Sequence, residues 1–156
     1  QSAPEDVTVL NQLGPLYLSQ GRDEEAAAVF ETLHRLAPDD VVAMNNLAWA
    51  YRASNTARAL ELVEQALRAV PDNAAIQDTH AMILLENGDY DEALAVNQKT
   101  LDAAPESPQS RYHRAQILAA AGRSAEALTL LDALLRGPAF PEAPAATALA
   151  KQLRGG

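Results

Sequence analysis

Three histidines, His34, His80 and His113, are the only side chains in this 156-residue chain that ordinarily titrate near neutral pH, so acid–base chemistry at that pH would have to use them. None has a catalytic setting. His34, in "ETLHRL", reads as a residue on a solvated helix face, and His80 and Arg114 stand 34 residues apart. No HExxH pair and no cysteine is present, which removes thiolate chemistry and the usual zinc-ligand sets. There is no glycine-rich phosphate loop, no G-x-S-x-G elbow, and no carboxylate pair in a context that would mark it as catalytic. Asp23, Glu24 and Glu25 form the densest acidic cluster, but they open a helix, where negative charge is favoured in any case. The expectation is a protein that is not an enzyme and holds no cofactor or metal.

Composition narrows the partners. A formal charge of −9 opposes nucleic acid and anionic lipid, because phosphate binding needs clustered Lys and Arg, and no basic run exists. No stretch approaches the roughly 18 consecutive apolar residues of a membrane span, so no membrane insertion of this segment is expected. The chain begins at Gln1 with no signal or transit segment, which points to an excised or processed piece of something longer.

The elements that must position any site follow from a period. Pro38, Pro71, Pro105 and Pro138 recur at intervals of 33, 34 and 33 residues, the signature of a repeat array. "APDD", "VPDN" and "APES" each join a helix-stopping proline to candidate caps of the next helix, namely Asp39, Asp40, Asp72, Asn73 and Ser107. A second break falls midway in each unit, where Gly21, Gly88 and Gly122 supply a left-handed helix end and Asn55 is expected to substitute. Asp89 and Glu92 have capping-box spacing. The spacing predicts helices near 6–20, 24–37, 41–53, 56–69, 74–87, 90–104, 108–121 and 125–136, with a closing helix over 142–154 that covers the last apolar face. Pro15, inside the first helix, should bend or locally open it.

These residues resemble the tetratricopeptide repeat. Leu10, Leu13, Gly14, Tyr17, Ala26, Phe30 and Pro38 match its W-x2-L-G-x2-Y, A-x3-F and P pattern, with leucine in place of tryptophan. Later units keep Leu47, Ala48, Tyr51 and Ala59, then Ala81, Leu84 and Ala93, then Ala115, Leu118, Ala127 and Leu131. The resemblance implies an all-α solenoid of the TPR type: one domain over 1–156, with repeats near 7–40, 41–73, 74–107 and 108–140, a C-terminal capping helix and a right-handed superhelix. A narrower similarity runs through "NNLAWAY", "DTHAMILLENGDYDEAL", "SRYHRAQILAAAGRSAEALTLLDALL" and "FPEAPAATALAKQLR". These look like the C-terminal part of PEP-CTERM system TPR-repeat lipoproteins, bacterial envelope proteins linked with exopolysaccharide and protein-sorting loci. That similarity implies a periplasmic or envelope location, with the cytoplasm left open.

In this family the first helix of each unit lines a concave groove through repeat positions 2, 5, 9 and 12. Carried onto this chain, the resemblance implies a partner-binding face that includes Asn11, Asn45, Trp49, Arg52, Asp78, Met82, Leu85, Tyr112 and Gln116, with His113 at its edge. Trp49, the only tryptophan, is either an anchor exposed in the groove or an intramolecular packing residue. The carboxylate clamp of some family members does not carry over: of Asn11, Pro15, Asn46, Ala75 and Asp78 only one matches, and Asp78 would repel a carboxylate. His80 and Arg114 read as a structural polar seam, with a carboxylate among the candidate partners. The functional expectation is a non-catalytic scaffold that holds a peptide or helix of another protein in the groove. The alternatives are a self-associating architectural segment, joined through residues 6–37, and the targeting arm of a larger enzyme.

Overall fold

The computed structural model describes residues 6–155; residues 1–5 and 156, which the expected domain includes, lie outside the described residues. Among the described residues the chain forms nine helices in four pairs and a closing helix. The pairs are α1 (Val7–Ser19) with α2 (Asp23–Leu36), α3 (Val41–Tyr51) with α4 (Thr56–Ala69), α5 (Ala74–Asn87) with α6 (Tyr90–Ala103), and α7 (Pro108–Ala120) with α8 (Ser124–Arg136). The closing helix is α9 (Ala143–Gly155), and every boundary falls within two residues of expectation.

Local chemistry starts the first helix of each pair. Asp6, Asp40, Asn73 and Ser107 sit at the N-caps of α1, α3, α5 and α7, and each side chain accepts from a backbone N–H of the first turn. Asp40 Oδ1 takes Val42 N at 2.9 Å and Ala43 N at 3.3 Å, satisfying donors that the helix itself leaves free. Gly21, Gly88 and Gly122 turn the chain with φ of +69°, +88° and +75°, a region that side chains rarely enter. Asn55 does not substitute for them. Its φ is −149°, and it instead caps α4 through Oδ1 accepting Arg58 N, so the second unit turns without a left-handed residue. The capping box at Asp89 does not form either: its carboxylate accepts from Asn87 Nδ2 at 2.6 Å and leaves the α6 N–H groups alone. Nor does α1 open at Pro15. The carbonyl of Asn11 loses its proline-side donor, but both residues are exposed, where water can serve.

Packing depends on small residues recurring with the period. Ala26, Ala59, Ala93 and Ala127 in the second helices are all fully buried, as are Ala48, Ala81 and Ala115 in the first helices, and they let paired helices approach closely. Larger side chains fill the space around them. Phe30, Leu33, Met44, Leu47, Leu62, Val63 and Ile83 form the core of the N-terminal half, and Leu84, Leu94, Ile117 and Leu118 continue it. Ala146 and Ala150 of α9 close the far end against Tyr112, Leu131, Leu134 and Phe140. Gly14 is a contact point in its own right, since a Cβ there would come within 2.5 Å of the Phe30 ring.

Candidate functional site

The first helices α1, α3, α5 and α7 carry eight of the nine residues expected to meet a partner, with Arg52 at the C-cap of α3, and the structure divides them by depth. Asn11 is exposed on α1, apart from the two cavities that gather most of the others. Asn45, Trp49 and Asp78 line a cavity of about 370 Å³, and Leu85, Tyr112 and Gln116 line a second of about 360 Å³ nearer α9. Met82 and Tyr112 are buried, 6% and 7% exposed, so they form the wall under the surface more than the surface itself. Burial also pushes the Tyr112 phenol up from its ordinary pKa, with the Glu142 carboxylate adding to the shift.

Trp49 is half-buried and makes two ring contacts within the chain. The Arg52 guanidinium lies over the indole, 4.5 Å from the ring centroid, and the His113 ring stands 6.3 Å away at a 32° tilt. Arg52 is occupied three ways: it covers the indole, donates to the Trp49 carbonyl at 2.8 Å and pairs with Asp23 at 2.9 Å, tying α3 to the start of α2. The same indole thus packs intramolecularly and also walls the cavity of about 370 Å³.

Beneath it lies a pair that sequence reading did not join. His113 Nδ1 stands 2.8 Å from Asp78 Oδ2, with the two side chains 7% and 10% exposed. Gln109 Nε2 reaches the same oxygen at 3.4 Å. His113, expected at the groove edge, is instead buried against Trp49 and Tyr112. A signal existed, since Asp78 and His113 are separated by one repeat and one residue, the offset that sets neighbouring first helices side by side. The cavity is completed by Asn46, Thr79, Thr100, Ala104, Ser107 and Ser110, among others. Thr100 and Ala104 come from α6 and its end, and Ser107 from the connection into α7, which an assignment of the groove to first helices alone leaves out.

In the polar seam Arg114 bonds an amide directly, while carboxylates act on the pair through charge, Glu126 on Arg114 and Glu64 and Glu92 on His80. Arg114 Nη1 approaches Asn97 Oδ1 at 3.4 Å and the Leu94 carbonyl at 3.5 Å, and the fully buried Asn97 donates to the Ser110 carbonyl at 2.9 Å. An amide suits this place because it accepts from arginine and donates to a backbone oxygen at once. His80 is half-buried, and desolvation holds its pKa below 6.5 despite Glu64 and Glu92 nearby. Among the described residues there is no cluster of three or more His, Asp or Glu fit to hold a metal ion, and no helix is long and apolar enough to cross a membrane.

Comparison with known proteins agrees with this geometry. The family model described as tetratricopeptide repeat matches residues 11–74 and 79–144. No curated protein matches the chain. A thermophilic tetratricopeptide-repeat protein of Thermus thermophilus is similar in structure, with TM-score 0.80 and 18% identity over 94% of this chain and 80% of that one. A tetratricopeptide-repeat protein of Parabacteroides merdae gives TM-score 0.84 at 19% identity, covering 96% of this chain but only 58% of its own length. A putative kinesin light chain with nearly identical TPR-like repeats, from Podospora anserina, gives 0.70 at 19% identity over 99% of this chain and 88% of that one. At such identities the likeness is one of fold. The two family matches cover most of the sequence and coincide with the period, the helix pairs and the buried alanines, so the chain belongs to the tetratricopeptide repeat family.

Proposed function

We propose that this chain is a non-catalytic interaction scaffold that holds an extended segment of a partner protein along the face of its first helices. Tetratricopeptide repeat proteins are in general scaffolds of this kind, and one observation carries the reading here: a cavity of about 370 Å³ opens beside the single tryptophan and gathers residues from α1, α3, α5, α6 and α7. A half-buried indole among polar side chains has the make-up of a recognition surface. Val42, 61% exposed and seven residues before Trp49 on α3, extends the contact outward. Affinity co-purification from the source organism tests it, using the intact chain beside a Trp49→Ala, Asn45→Ala double variant of confirmed helicity. A protein kept by the first and lost by the second supports the reading; identical recoveries overturn it.

The similarity of four segments to PEP-CTERM system lipoproteins supports a place for this scaffold in bacterial envelope assembly, tied to exopolysaccharide export or protein sorting. Fractionation of the source cells tests that placement, and recovery in cytosol alone overturns it. A second reading rests on the opposite end of the array. Val7, Val9, Leu16 and Leu36 of α1 and α2 are all close to half exposed, whereas α9 covers the C-terminal face. They supply an apolar edge on which a second copy could stack, and mass measured against protein concentration distinguishes this architectural role.

A further inference from the structure

The cavity beside Trp49 carries a chemical preference, and the inference drawn from it rests on the groove reading above. Two of its lining residues, Asn45 and Asp78, each hold a buried Oδ1 with no hydrogen-bond partner. A buried acceptor left unpaired is costly, and a carboxylate more so than an amide. Asp78 Oδ2 accepts from Gln109 Nε2 and stands 2.8 Å from His113 Nδ1, a nitrogen that itself makes no hydrogen bond, and neither neighbour is a fixed positive charge. Arg52, the cation beside Trp49, is committed to Asp23.

The hydroxyls around the cavity do not redress this balance. Thr79 donates to the Ala75 carbonyl and Thr100 to the Val96 carbonyl, while Ser107 and Ser110 bond each other through one of their two hydroxyl protons. The lining thus presents the Asp78 carboxylate and the Asn45 carbonyl oxygen as acceptors and spends three of these four hydroxyl donors on itself. An arriving carboxylate or phosphate meets the Asp78 charge, whereas a cationic group made only of donors finds acceptors in Asp78 and Asn45. Trp49 adds an apolar wall, suited to the stem of a long side chain. At about 370 Å³ the space admits such a side chain, and a chain of net charge −9 attracts it from a distance.

We infer that this cavity receives a lysine or arginine side chain from the partner's extended segment, with the cationic head donating to Asn45 and Asp78 and the stem lying along Trp49. The bound segment would then be basic at one fixed position, in contrast to a ligand chosen for an acidic terminus. Specificity would come from the unpaired oxygens, which reject any residue that cannot donate.

The test is selection of a displayed library of random nine-residue peptides on the intact chain, on Asp78→Asn, on Asn45→Ala and on Trp49→Ala, all at physiological salt. Circular dichroism and thermal melting establish that each variant is folded, and Asn45→Ala stands in if Asp78→Asn is not. The expected result is enrichment of lysine or arginine by about tenfold at one register on the intact chain, most of it lost on Asp78→Asn or Asn45→Ala while peptides are still selected. The ratio of the two residues identifies which head fits. Peptides selected without a basic position, or with the same basic position on Asp78→Asn and Asn45→Ala, overturn the inference and leave the groove reading standing. Selection no better on the intact chain than on Trp49→Ala overturns both.

Discussion

Asp78 on α5 and His113 on α7 meet at 2.8 Å beneath the indole of Trp49, so three consecutive repeats converge on one buried polar point. Such a pair is energetically coupled because removing either member strands the other away from water. A double-mutant cycle of Asp78→Asn and His113→Gln, read by urea unfolding, should give a coupling of about 1–3 kcal/mol, and a value near zero would show the contact to be incidental.

Gly14→Ala reverses the usual rule for a helix interior, where alanine is favoured over glycine by about 1 kcal/mol. The added Cβ would sit 2.5 Å from Cε1 of Phe30, itself only 1% exposed. The substitution should therefore destabilise the chain by about 1–3 kcal/mol through overpacking, and Phe30→Leu in the same chain should return part of the loss. A stabilised Gly14→Ala variant would show that the ring moves aside freely.

Caps of the two helix classes should respond differently. Asn73 Oδ1 accepts from Ala75 N and Ile76 N at 3.1 and 3.2 Å, so Asn73→Ala should cost about 1 kcal/mol. Asp89 makes no such bond, and Asp89→Ala should cost distinctly less in the same thermal-melt comparison.

Stability should also fall in mild acid because of His80. Burial holds its folded pKa below the 6.5 of an ordinary histidine, outweighing Glu64 and Glu92, which act the other way. The unfolded chain then binds the proton first as pH drops, so this contribution is intact above about pH 6.5 and declines as pH falls towards the folded value. His80→Leu, which restores an apolar residue, should flatten the stability profile between neutral pH and that point; an unchanged slope would place the titration elsewhere.

The helices were legible because their signals are local and periodic. The prolines, the three turn glycines and the caps Asp40, Asn73 and Ser107 each act within a few residues, and repetition separates them from chance. Asn55 misleads for the same local reason: its side chain can serve a left-handed turn or a helix cap, and the choice depends on a turn one residue shorter than the others. Site depth was not legible. Counting along a repeat gives the side a residue faces, so it groups Asn11 with Asp78, although one is exposed and the other 7% exposed. What buries Asp78 is the neighbouring repeat, whose His113 stands 2.8 Å from it.

The contact between Trp49 and His113 has a consequence for how the molecule comes apart. Linear arrays of this type unravel unit by unit, because each unit depends only on the one before and the one after. Here an aromatic contact passes over the intervening helix α5 and ties the second repeat to the fourth. Peeling from the N-terminal end would meet extra resistance at that tie, and the middle of the array would melt as one block instead of a row of independent steps.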